Sequence, residues 1–443
     1  MEEKKLKKTI GFFPALTTTM GTVIGAGVFF KAATVASVTG TASLQLFAWL
    51  LAGIITIAGG LTAAELAAAI PETGGMVRYM ERAYGKIAAF FLGWAQAIVY
   101  FPAFIAALAI IFASQVVILF AWPNSFTVPI AILAVALVTF VNLLGTKVGG
   151  MLQSVTFILK LIPISLIVIF GLLRRSPVHV QLLPLSTASH LSFFSALGAA
   201  LLATMFAYDG WIYAGNIAGE MKNPTKDLPR AIIFGLAAVM LIYLAINFTF
   251  IKTLGISELM KNTGSEPINA AKLIFGDFGG KLVTVGILVS VFGALNGFSL
   301  TGMRVSFVMA EDKIFFSRFR KISARTAVPT NSGLLQMSIA IIMLGLSLFS
   351  TNAFNSLTDL TIFVIWIFYA LMFIAVFVLR KKEPTLTRPY KVPLYPVIPI
   401  IAVIGAVFIL MMTLIEQFNI AMLGIIVTAT GYPFYRYFVK KYK

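Results

Sequence analysis

Twelve long apolar runs recur along the chain, separated by short polar stretches. They lie near residues 12–37, 44–70, 87–120, 126–144, 149–173 and 193–219, then near 231–252, 280–309, 332–350, 356–379, 394–415 and 418–438. They run from 19 to 34 residues, enough for the ~20 an α-helix needs to cross a hydrocarbon core ~30 Å thick. Pro, Gly or charge clusters bound most of them, the usual punctuation at helix ends. The first run is too long and too rich in glycine for a signal-peptide core, and no clear cleavage site follows it. It is read as an uncleaved first span. The longest connections, about 174–192 and 253–279, are too short for a soluble domain. The pattern predicts an all-α polytopic membrane protein with twelve transmembrane helices.

Composition agrees. Of 443 residues, 59% are hydrophobic and 11% charged, against ~45–50% and ~25% in a soluble domain. The mean hydropathy is +0.96. Cysteine is absent, which removes disulfides, thiolate nucleophiles and Cys-ligated metals. With two histidines, His179 and His190, both in one loop, an imidazole metal cluster is not expected. They read as loop-surface residues, and no metal or cofactor is predicted.

The formal charge of +18 raises nucleic acid as a partner, but its placement points elsewhere. With the N-terminus inside, 25 of the 34 Lys and Arg residues fall on inside segments, including Lys4, Arg78, Lys147, Arg230, Lys313, Arg380 and Lys440. Six fall outside: Arg174, Arg175, Lys252, Lys261, Lys272 and Lys281. This asymmetry predicts a multi-pass plasma-membrane protein with both termini cytoplasmic. The basic excess suits an anionic inner leaflet of membrane lipid, and no aromatic-rich basic motif calls for nucleic acid.

Two spans carry interruptions at mid-membrane depth. Span one reads Thr22-Val23-Ile24-Gly25-Ala26-Gly27-Val28-Phe29, with its midpoint at 24–25. Span six reads Phe206-Ala207-Tyr208-Asp209-Gly210-Trp211, with its midpoint at 206. A glycine weakens a helix by ~1 kcal/mol relative to alanine, and a mid-bilayer Asp costs ~2.5–3.5 kcal/mol on insertion scales. Matching interruptions in the two halves of a transporter point to its binding site. If span one unwinds near 24–26, the following half-helix offers the N–H groups of Ala26, Gly27 and Val28, with its positive dipole end, to a carboxylate. Unwound carbonyls at Val23, Phe206 and Asp209 would accept from an ammonium, and Gly25 and Gly27 would leave room for a ligand. An anion cradle beside carbonyl acceptors matches the common part of an α-amino acid. The alternatives are structural: Gly21-x-x-x-Gly25 is also a helix-packing motif, and the Asp209 side chain can cap the second half of span six.

Lys160 lies eleven residues into span five counting from Gly149, a depth of ~17 Å at ~1.5 Å per residue. That is too deep to reach headgroups, and Gln153 and Thr156 extend a polar stripe that would face the bundle interior. An ammonium beside the unwound first helix would do locally what a bound sodium ion does in coupled transporters. The other reading is a structural cation bonded to carbonyls. Among weaker candidates, Glu65 near the end of span two reads as a cap or a gate. Arg304 is expected to reach headgroups or an acidic loop residue. Glu72, Arg78 and Glu81 read as a solvated face, and Lys31 as a residue that snorkels outward. Phe206 at the break is a candidate lid.

These residues carry a resemblance. Ile24-Gly25-Ala26-Gly27-Val28-Phe29, Phe206-Ala207-Tyr208-Asp209-Gly210-Trp211, Glu220-x-x-Asn223-Pro224-x-x-x-Leu228-Pro229-Arg230-Ala231 and Pro71-x-Thr73-Gly74-Gly75 resemble the amino acid–polyamine–organocation superfamily. Within it they are most similar to the bacterial L-amino acid transporter (LAT) family, its serine/threonine and alanine-serine-cysteine exchangers. The resemblance implies a LeuT-like inverted repeat of five plus five helices, with helices one and six broken. The repeats would occupy 1–173 and 193–379, followed by two appended helices in 394–438 and a cytoplasmic tail at 439–443. It implies sodium-independent exchange of small neutral L-amino acids (alanine, serine, threonine or cysteine-like) by alternating access. Substrate binding would fall to Val23, Gly25, Ala26, Gly27, Phe206, Ala207 and Asp209, with Lys160 and Phe206 in coupling and gating. Animal members often have Gly at the position of Asp209 and Asn at that of Ile212, and they carry a Cys joined to a heavy subunit. Without Cys, this chain is expected to work without such a subunit, as a monomer. The runner-up is a proton-coupled amino acid symporter of the same fold. A non-transporting receptor or an intramembrane enzyme is a third reading, and no paired catalytic constellation supports the enzyme.

Overall fold

The computed structural model describes residues 11–442 except 73–74, 177, 213–220, 262–264, 324, 327 and 350–351, and omits the side chains of 18, 146–148, 150 and 153–154. Among the described residues every regular element is helical. The first span is three pieces, α1 (Phe12–Val23), α2 (Gly27–Phe30) and α3 (Ala32–Thr39). Gly40, at φ +70°, ends α3, and the Thr41 side chain accepts from Leu44 N–H at 3.3 Å to start α4 (Ala42–Ala69). A short helix α5 (Met76–Tyr84) leads to α6 (Lys86–Ala95), a π-helical turn (Gln96–Tyr100) and α7 (Phe101–Phe120). Pro102 has no N–H to offer the carbonyl four residues back, so the helix widens just before it.

Next come α8 (Thr127–Leu143), α9 (Thr146–Leu173) and α10 (Phe193–Tyr208), the last capped by Ser192, which accepts from Ser195 N–H at 3.3 Å. Pro224 opens α11 (Pro224–Leu254) and Gly255 closes it. After α12 (Ile256–Lys261) and α13 (Glu266–Glu311) come α14 (Thr330–Ser347), α15 (Ala353–Lys382), α16 (Val397–Glu416), α17 (Phe418–Ala429) and α18 (Gly431–Lys441).

Eleven helical segments among the described residues are long and apolar enough to cross a membrane, and α10, at 16 residues, is a shorter apolar one. Span six was expected to run over 193–219. Its described helix stops at Tyr208 because Asp209 is extended (φ −77°, ψ 161°) and Gly210 has φ +105°. The 253–279 connection differs from the expected loop. It holds α12 and the first turns of α13, which kinks at Gly276 (φ 75°, ψ −173°). Buried Glu266 there accepts from Ala33 N–H at 3.1 Å, which places a carboxylate on the opening turn of α3.

Contacts sort the helix ends onto two faces. On one, Ala188 N–H donates to Thr39 O at 3.1 Å and Thr41 Oγ1 to Ser186 O at 2.5 Å. On the other, Arg380 donates to Glu65 at 2.8 and 2.6 Å, and Arg82 binds Glu383 at 2.7 Å. The hydrogen bond from Arg82 holds the Glu383 carboxyl below its ordinary range. The second face also carries residue 12 and is called the N-terminal face below; the first, with Thr39 and Ala188, is the far face. Between the faces, large apolar side chains such as Leu133, Leu137 and Phe140 on α8, and Ile404, Met411 and Ile415 on α16, are exposed. Large exposed apolar side chains of this kind are unsuited to water and suited to lipid.

Candidate substrate site between two helix breaks

The first helix gives way where its glycines stand. Ile24 N–H still donates to Met20 O at 2.8 Å, but Ile24 itself is extended (ψ 98°), and helical bonding resumes with Phe30 N–H on Ala26 O at 3.1 Å and Lys31 N–H on Gly27 O at 3.0 Å. The break spans 24–26. N–H groups at the start of the second piece have no carbonyl one turn back, and carbonyls at the end of α1 have no N–H one turn on.

The break in the sixth helix lies against it. A Cβ on Gly27 would sit 2.5 Å from Ala207 Cα, and one on Gly210 would sit 2.8 Å from the Thr22 carbonyl oxygen. Two backbones meet here with no room for a side chain between them. Gly27 was expected to leave space for a ligand, and its lack of a side chain is used for this backbone contact instead. Gly25 differs, because a Cβ there meets Ala294 Cβ at an ordinary 3.5 Å. Gly21 packs on the Phe157 ring, where a Cβ would be 3.1 Å away, so the packing reading holds for that member of the Gly21-x-x-x-Gly25 pair.

Lys160, buried on α9, donates to Gly21 O and Ile24 O at 2.5 Å each. Gly21 lies in the last turn of α1 and Ile24 caps that helix, where the dipole end is negative and a cation is favoured. Thr156, one turn earlier, is buried, bonds its own Leu152 carbonyl at 2.8 Å and packs where Gly293 leaves room. The Gln153 side chain lies outside the described residues, as do Thr73, Gly74 and Glu220 of the motifs.

Three tyrosines complete the junction. Tyr243 on α11 places its hydroxyl 2.9 Å from both Val23 O and Ala207 O, one from each break. One proton is shared between two carbonyls, so each retains accepting capacity. The Asp209 carboxylate is buried between Tyr100 of the π-helical turn and Tyr369 of α15, whose hydroxyl donates at 2.8 Å. Its side chain is therefore held by tyrosines. Phe206 stacks on Phe104 at 4.6 Å between centroids and meets Phe354 edge-on at 5.6 Å. It stands three residues before Asp209 on α10, next to the break in the sixth helix.

Residues 10–435 match the family model for amino acid permeases. The chain belongs to the amino acid permease family. It is 44% identical, over all of its length and 99% of the relative's, to the serine/threonine exchanger SteT of Bacillus subtilis (strain 168). It is 29% identical to the Asc-type amino acid transporter 1 of Homo sapiens, over 98% of this chain and 83% of that one. For the b(0,+)-type amino acid transporter 1 of Homo sapiens the identity is 28%, over 93% and 84%. The permease is thus a multi-pass membrane protein and an amino acid transporter.

Some residues of the permease junction escaped sequence reading. Tyr243 lies inside a long apolar run, and the available signal was its helical spacing to Asn247, whose amide donates to Tyr243 O at 2.9 Å. Tyr100 was hidden among aromatics, although Pro102 two residues on marks the widened turn. Lys31 and Glu65 were assigned differently. Lys31 does not snorkel; it is fully buried. Glu65, read as a cap or a gate, has partners from outside its own helix. It is buried, pairs with Arg380, and accepts from Val392 N–H at 2.8 Å. Arg78 likewise joins Glu81 and Asp312 at 3.0 Å each, beyond a purely solvated face.

Proposed function

We propose that this permease is a sodium-independent exchanger of small neutral L-amino acids, of the alanine, serine, threonine and cysteine type, working by alternating access. The observation that carries the reading is the Gly27–Ala207 contact, with Val23 and Ala207 carbonyls on one side and the opening N–H groups of α2 on the other. In this reading Gly25, Ala26 and Gly27 receive the substrate carboxylate. The carbonyls of Val23, Phe206, Ala207 and Asp209 serve the ammonium, and Phe206 lids the site. Phe104 stacks on Phe206 and, at 3.7 Å between centroids, on Phe298 of α13, and this aromatic wall favours an uncharged side chain. Lys160 places its amino group at the end of α1, where a sodium-coupled carrier would need an ion, and SteT, the full-length relative, is named a serine/threonine exchanger.

The N-terminal face is the cytoplasmic one, on the positive-inside asymmetry, and the membrane is a bacterial plasma membrane. The repeats fall at 1–173 and 193–379, with 394–438 appended. The chain works as a monomer without a disulfide-linked subunit, as a carrier and not an enzyme. A panel of twenty amino acids as counter-substrates for preloaded labelled serine tests the specificity. Small neutral residues should accelerate efflux; acceleration by lysine or glutamate instead would overturn it. The buried Asp209 favours one second reading, a proton-coupled symporter. Uphill uptake driven by an imposed pH gradient without counter-substrate would establish that one.

A further inference from the structure

Lys31 stands at the bend between α2 and α3, one turn beyond Gly27 toward the far face. Its Nζ lies 2.6 Å from Thr358 Oγ1, 2.8 Å from Asn355 Oδ1 and 3.6 Å from Asp359 Oδ1, all in the opening turns of α15. The same nitrogen sits over the Phe354 ring at 4.9 Å and the Phe206 ring at 5.5 Å. The second oxygen of Asp359 accepts from Gln417 at 3.1 Å, so the carboxylate is fixed from behind.

Burying an ammonium is costly unless its protons find acceptors. Here two oxygens, of Thr358 and Asn355, accept hydrogen bonds and the Asp359 carboxylate faces the charge at 3.6 Å, and every one of these groups comes from a different element than the lysine. The aromatic faces come from α10 and α15. The ammonium is therefore satisfied only while α3, α15 and the Phe206 lid are packed together. Separating α3 from α15 breaks all three contacts at once and returns the charge to water, which hydrates it well. An element with two satisfied states and poorly satisfied intermediates is bistable.

We propose that Lys31 is the latch of the gate on the far face, holding α3 against α15 over the Phe206 lid and releasing into water when the site opens to that side. The inference rests on the alternating-access reading above, and it adds a gating residue that acts on the lid from behind and not on the substrate.

The absence of cysteine permits a direct test. Single cysteines are placed at Ala203, buried one turn beyond Phe206 toward the far face, and in a second protein at Ala15, buried in α1 near the N-terminal face. Each is labelled in proteoliposomes by an impermeant thiol reagent applied to its own side. Lys31→Met should raise labelling at position 203 at least about fivefold, the lower end of usual coupling strengths, and lower it at position 15. A merely loosened fold would raise both, and that result, or wild-type labelling at both positions, overturns the latch. If Lys31→Met fails to insert, Asn355→Leu decides. It leaves the ammonium one acceptor short and should shift the two positions in the same opposite directions; unchanged labelling there likewise overturns the proposal. The readout needs no substrate flux. Opposite shifts in a protein that does not exchange serine would therefore sink the exchange reading and keep the latch.

Discussion

The Lys160 side-chain nitrogen lies 2.5 Å from the carbonyl oxygen of Ile24, the residue at which the first helix breaks. That carbonyl has lost its helical donor, and the lysine, arriving from α9, replaces it at the negative end of α1. The break is thus hydrogen-bonded by a side chain from a neighbouring helix.

Removing it should be costly to transport. A hydrogen bond to a charged group contributes ~1.5–3 kcal/mol, and ~1.4 kcal/mol is a tenfold effect. Lys160→Ala should therefore lower the serine exchange rate at least about tenfold while the protein still inserts and is recovered in normal amount. Wild-type rates in that variant would remove Lys160 from the mechanism.

Tyr243 is expected to act on binding. Tyr243→Phe deletes the one donor shared by Val23 O and Ala207 O, leaving two buried carbonyls short in the substrate-free protein at a cost of ~1–3 kcal/mol. On the proposed site the substrate ammonium would then be their main donor, with the geometry between the two breaks loosened. Serine exchange should show an altered KM, by about fivefold or more, with recovery from the membrane largely kept. An unchanged KM would reduce Tyr243 to helix packing.

The glycines separate by position. Gly25→Ala adds a methyl at an ordinary contact distance and should fold and bind with modest loss. Gly210→Ala meets the Thr22 carbonyl at 2.8 Å and must hold φ +105°, a conformation that costs a non-glycine residue ~1–2 kcal/mol before any clash. Detergent-solubilised Gly210→Ala should melt several degrees below Gly25→Ala. The reverse order would contradict the close approach of the breaks.

Glu65 tests stability away from the site. Its side chain is 2% exposed and binds Arg380, itself 24% exposed. Breaking a buried pair from one side costs ~3–5 kcal/mol, and the partial exposure of Arg380 argues for the lower end. Glu65→Gln should lower the melting temperature clearly and leave the KM for serine near wild type. An unshifted melting curve would show the pair to be dispensable.

Much of this arrangement was legible in the sequence, and the rest was hidden for physical reasons. The apolar runs gave the spans because lipid demands ~20 apolar residues per crossing. The glycines of 25–27 and the Asp209-Gly210 pair located the breaks because such residues are expensive inside a membrane helix. Span six nevertheless breaks three residues after its midpoint, since the break follows Gly210 and not the geometric centre of the run. Lys31 was misread because depth alone does not say whether a lysine meets water or oxygens from another helix. Its partners, Asn355, Thr358 and Asp359, are more than 300 positions away in the chain. Tyr243 and Tyr369 were silent for the same reason: a tyrosine in an apolar run shows its hydroxyl's purpose only when the carbonyl or carboxylate it meets is known.

The most direct measurement is efflux of preloaded labelled serine from proteoliposomes without a sodium gradient. Exchange predicts that the label stays inside in empty buffer and leaves promptly when serine, threonine or alanine is added outside. Equal efflux into empty buffer, or a requirement for sodium, would contradict it.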